Sequence, residues 1–180
     1  TNLNRLSLEE NIWIDNKYEL LPKKVLLSRE LVNDTQKPLS NKLLQDLFIE
    51  QVKINPNQKA IVTKEESFTY LELFSLANNL AEKLINLKTQ PNELVAVIME
   101  KGWEQIVAVL AILMSGSAYL PINPEHPKER IDYLLQSCEV KISITQEKWL
   151  EEVKRAGITS LVVIKENIIG LIEYTAQHGF

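Results

Sequence analysis

Holding a phosphate takes several donors at close quarters, and glycine is the residue that lets backbone N–H groups approach such a charge. In this 180-residue chain Gly102, Gly116, Gly157, Gly170 and Gly179 are scattered, and no Ser/Thr/Gly-rich loop closing on Lys lies between them. His126 has a side chain that titrates near neutrality, but it stands in a loop bounded by Pro124 and Pro127 with no nucleophile nominated beside it. It reads as a loop or packing residue, with a proton carrier as the competing reading. Cys138 follows an apolar helical stripe and lacks a nearby His or cationic pair to activate its thiol, so it reads as a small packing residue before a nucleophile. One cysteine excludes an intramolecular disulfide, and with only His126 and His178 beside it there is no soft-ligand cluster for a structural zinc. Glu147 to Arg155 places Glu and Lys at helical spacing, which makes a solvated face more readily than a partner contact. No residue is assigned a catalytic, cofactor-binding or metal role.

The elements that carry these residues follow from periodicity. Residues 1–40 hold no sustained period and read as an extended linker arm, whose apolar spots Trp13, Ile14, Val25, Leu26 and Leu27 could dock on a neighbour, with disorder as the equal alternative. From Asn41 the pattern turns helical, with Leu43, Leu44, Leu47, Phe48 and Val52 on one stripe before Pro56. Lys59–Val62 and Ser67–Tyr70 flank the polar Thr63–Glu66 as strand, turn and strand. Thr69 precedes Glu72 by three residues, the capping-box spacing, and Leu73, Leu76, Ala77, Leu80, Ala81 and Leu84 continue as a helix with one buried face.

Beyond Pro91 the chain alternates. Glu93–Met99 is β-rich, Trp103–Met114 is helical with Trp103 as a packing residue, and Gly116 falls where a helix cap needs positive φ. Close backbone approach to a ligand is the second reading of Gly116. Ala118–Ile122 is a strand, and Pro127 suits the first turn of a helix through Ile131, Leu134 and Leu135. Val140–Thr145 alternates as a strand, Gln146–Ala156 is a helix ended by Gly157, and Leu161–Ile164 is again β-like. The tail, 165–180, holds Ile168, Ile169, Leu171 and Ile172 as a last helix or a strand and loop. Successive βα steps imply right-handed crossovers and an α/β fold, a mostly parallel sheet covered by helices.

Composition narrows the class. An apolar fraction of 45% and a charged fraction of 24% belong to an ordinary globular protein. The net charge of −4 gives no basic field for nucleic acid. The longest apolar stretch, Ile106–Met114, is half of a bilayer crossing, and the N-terminus has no secretory pattern, so a cytoplasmic chain is expected.

Four stretches carry a resemblance. Phe68-Thr69-Tyr70-Leu71-Glu72-Leu73 looks like the first core motif of adenylation domains, Leu-Thr-Tyr-x-Glu-Leu. Residues 113–123, Leu-Met-Ser-Gly-Ser-Ala-Tyr-Leu-Pro-Ile-Asn, resemble the second, Leu-Lys-Ala-Gly-x-Ala-Tyr-x-Pro-Ile-Asp, with Met114, Ser115 and Asn123 departing from it. Pro124 to Ile131 is similar to Pro-x-x-Pro-x-Glu-Arg-Ile, and Val32-Asn33-Asp34-Thr35 resembles the end of the family's incoming linker. The chain thus resembles the N-terminal part of a nonribosomal peptide synthetase adenylation domain over about residues 32–165, with 41–180 as a partial domain stopping before the phosphate loop.

The resemblance implies ATP-dependent activation of an amino acid or related carboxylic acid to an acyl adenylate, then capture by a carrier-domain phosphopantetheine thiol. It implies ATP and Mg for the complete domain and none in this segment. The implied partners are the remainder of the adenylation domain and neighbouring condensation, carrier or tailoring domains. The segment alone is expected to be inactive. A noncatalytic platform or spacer in a synthetase, or an acyl- or aryl-activating ligase relative, are the alternatives.

Overall fold

Local propensity comes first, and it already changes the reading of the arm. The computed structural model describes residues 22–163, and the chain divides into two compact units, 1–41 and 42–180. In the first unit, Lys23–Asn33 is a helix (α1), not extended chain. Its Lys, Leu, Arg and Glu residues are good helix formers, and Pro22 caps it with its fixed φ of −58°. No residue of α1 is buried, and Leu31 and Val32 are among its exposed residues. The helix lacks an apolar stripe, so periodicity could not reveal it. Trp13, Ile14 and the tail 165–180 lie outside the described residues.

In the second unit α2 (Leu44–Ile54) starts with the Leu43 amide donating to Asp46 Oδ2 at 2.8 Å. Phe48 and Val52 face the core, whereas Leu43, Leu44 and Leu47 of the expected stripe are exposed. β1 (Lys59–Val62) and β2 (Ser67–Thr69) pair antiparallel. Their turn has no Asn-Gly because the Thr63 hydroxyl accepts from the Glu65 and Glu66 amides at 3.3 and 3.0 Å and closes it. β2 runs directly into α3 (Tyr70–Asn86) through a reciprocal cap. The Glu72 amide donates to Thr69 Oγ1 at 3.2 Å, and the Thr69 amide donates to Glu72 Oε2 at 2.8 Å. The buried residues of α3 are the six expected.

The sheet has the order β4-β3-β5-β6, all parallel, from β3 (Leu94–Ile98), β4 (Ala118–Ile122), β5 (Ile142–Thr145) and β6 (Thr159–Val162). Between them lie α4 (Trp103–Met114), α5 (Lys128–Ser137) and α6 (Leu150–Lys154). Pro127 stands one residue before α5, as its N-cap residue, not inside the first turn.

Alternation along β3 divides the core. Val95 and Val97 join Leu80, Leu84, Val107 and Ile112 of α3 and α4 on one face. Ala96 and Ile98 join Ile122, Leu135 of α5 and Val153 of α6 on the other. β5 is buried at all four residues because helices cover both faces, so it does not alternate in exposure as expected. Ser143 and Ser160, cross-strand partners in β5 and β6, share a hydrogen bond at 2.9 Å and leave no buried hydroxyl orphaned there. At the start of the sheet Glu93 pairs with Lys141 at 3.2 Å and accepts from the Gln90 amide at 2.8 Å.

Three helices end in the same hydrogen-bond pattern. After α4 the Ser117 amide reaches Ile112 O at 3.1 Å and the Gly116 amide reaches Leu113 O at 3.1 Å, with Gly116 at φ +81°. A Cβ added at Gly116 would meet nothing within 4 Å. The positive φ and the two closing amides make this glycine a helix cap. The same closure follows α3 at Lys88 (φ 62°) and α5 at Glu139 (φ 51°), where no glycine signalled it. Among the described residues β4 is an outer strand; its Ala118 amide donates inward to Glu93 O at 2.9 Å, so alternate residues Tyr119 and Pro121 turn their backbone away from β3.

Candidate functional site

In an open parallel sheet, the place for a ligand is outside the carboxyl ends of the strands where the connections part to opposite faces. Here that place lies between β3, whose chain leaves into α4 on one face, and β5, whose chain leaves into α6 on the other. The loop after β3 carries Glu100, Gly102 and, entering α4, Glu104; the loop after β5 carries Gln146.

Those side chains fill the crevice themselves. Gln146 is 9% exposed; its Oε1 accepts from the Glu100 amide at 3.1 Å and its Nε2 donates to Glu104 Oε1 at 3.1 Å. The Thr145 hydroxyl donates to Ile98 O at 2.7 Å, and Lys148 pairs with Glu100 at the rim. The helix expected over Gln146–Ala156 is a 3-10 turn, Glu147–Trp149, followed by the short α6, with Gly157 at φ +71° after its end.

Beside the crevice, between the starts of α5 and α6, is a cavity of about 110 Å³. Ile98, Ile131, Val153 and Trp149 give it apolar walls, and His126, Lys128, Asp132, Glu152 and Arg155 bring polar groups to it. Trp149 Nε1 is buried without a hydrogen-bond partner. Sequence periodicity missed Gln146, because its partners Glu100 and Glu104 come from across the sheet end.

The residues weighed in the sequence fall as follows. His126 lies in the loop before α5 at the cavity and has no nucleophile beside it. Cys138 is half-buried at the end of α5 and packs against the second core cluster. Trp103 stacks on Phe68 with ring centres 4.8 Å apart. Glu147, Lys148, Glu151, Glu152 and Arg155 are exposed, the solvated face expected of that stretch. Among the described residues no group of three or more His, Cys, Asp or Glu side chains could hold a metal ion. The Gln90 amide, and then Lys141, hold the Glu93 carboxyl below the usual range against the opposing effect of burial. It is at the amino end of the sheet, away from the crevice. No helix of the described residues is long and apolar enough to cross a membrane.

Comparison with known proteins places this geometry. The family of AMP-binding enzymes matches residues 48–174. Tyrocidine synthase 1 of Brevibacillus parabrevis is 38% identical over 137 residues, which cover 76% of this chain and 13% of the synthase. Gramicidin S synthase 2 of Brevibacillus brevis is 39% identical over 119 residues, 66% of this chain and 3% of that protein. The chain therefore spans a small part of the curated relatives it matches. The crystal structure of the nonribosomal peptide synthetase FmoA3 with alpha-methyl-L-serine-AMP bound superposes with a TM-score of 0.69 at 37% identity, over 73% of this chain and 15% of that one. The N-terminal subdomain of Klebsiella oxytoca NpsA with anthranilyl-AMSN gives a TM-score of 0.55 at 25% identity, over 59% of this chain and 28% of that one. With its capped helix at Thr69, its glycine-capped α4 and its parallel sheet, the chain belongs to the AMP-binding enzyme family and carries part of a nonribosomal peptide synthetase adenylation domain.

Proposed function

We propose that the chain contributes the scaffold of an adenylation domain that activates an amino acid or related carboxylic acid. A carboxylate oxygen attacks the α-phosphorus of ATP, the bond to pyrophosphate breaks, and an acyl adenylate forms. The thiol of a carrier domain's phosphopantetheine then attacks the acyl carbon, AMP leaves, and the thiol proton passes to a base. The observation that carries this reading is the match in fold and sequence to FmoA3 bound to alpha-methyl-L-serine-AMP. The synthetase relatives at 38 and 39% identity favour an amino acid over an aryl acid.

The part played by these residues is architectural. β3 and β5 fix the ends of two loops against each other through Gln146, and α3 and α4 brace the sheet from one side. Neighbouring condensation, carrier or tailoring domains are the proposed partners, in a synthetase proposed to be cytoplasmic; the small share of the relatives covered by this chain supports the neighbouring domains.

ATP–pyrophosphate exchange with a panel of amino acids tests the reading in the intact natural polypeptide, where robust exchange is expected. The 180-residue chain alone is expected to give none, and exchange by it would refute the proposed inactivity. The filled crevice favours a second reading, a noncatalytic platform within a synthetase. That reading predicts no exchange from the intact polypeptide with any acid.

A further inference from the structure

We draw no further inference here: the strongest candidate, the exposed apolar patch that Leu43, Leu44, Leu47 and Ile54 make along α2, carries none because nothing in the structure shows what covers it.

Discussion

Replacing Gly116 by Ala isolates one term of the fold's energy. The residue closes α4 at φ +81°, and an added Cβ meets nothing within 4 Å, so packing contributes no penalty. What remains is the left-handed backbone, which costs a non-glycine residue roughly 1–2 kcal/mol. Alanine also narrows the unfolded chain, which returns about 0.4–1 kcal/mol. The net expectation is a loss of about 1 kcal/mol. Glu139, exposed and at φ 51° in the equivalent position after α5, makes the reverse test. Glu139→Gly should gain roughly 0.5–1 kcal/mol by the same two terms. Urea unfolding of the 180-residue chain, followed by far-ultraviolet circular dichroism with slopes compared, measures both. A neutral Gly116→Ala, or a Glu139→Gly that destabilises, would refute the assignment of these caps to backbone strain alone.

Thr69→Ala removes the acceptor for the Glu72 amide and should cost about 1 kcal/mol by the same unfolding assay, whereas Thr69→Ser should recover most of it. Ser143→Ala and Ser160→Ala each break the buried 2.9 Å pair at a cost of about 1–3 kcal/mol. The double variant should cost less than the sum, because it leaves neither hydroxyl without its partner. Glu93→Gln should destabilise at neutral pH. Because the folded state holds the Glu93 carboxyl below its ordinary value of 4.5, the native stabilisation is full above that value and disappears as pH falls through the lower folded one. Stability curves for Glu93→Gln and the native chain should therefore converge below pH 4.5, and a gap that widens on acidification would contradict the sign.

What could be read beforehand was what is written locally. The buried face of α3 follows from residue spacing, and its start from Thr69 and Glu72. Gly116 announces its cap because only glycine takes that backbone freely. Lys88 and Glu139 take nearly the same conformation with no such announcement, since the flanking helix and strand fix the turn for them. α1 escaped notice for the opposite reason: its propensity is local, but it lacks the apolar stripe by which a helix is recognised. The hold on Gln146 was illegible because its partner Glu104 lies forty-two residues earlier. The cavity is the same kind of object, assembled from the end of β3 and the starts of two helices that only the fold brings together.

The edge strand β4 has one more consequence. Parallel sheets end in a row of unsatisfied amides, and such a row is a template on which a second copy of the chain can add. Along β4 the outward positions are Tyr119 and Pro121, and proline has no amide hydrogen to offer. The row is reduced to a single donor within the strand, too few to register an incoming partner. Among the described residues this edge offers a single donor, and Pro121→Val, which repairs the row without disturbing the inward bonds, should raise the tendency of concentrated solutions of this chain to aggregate.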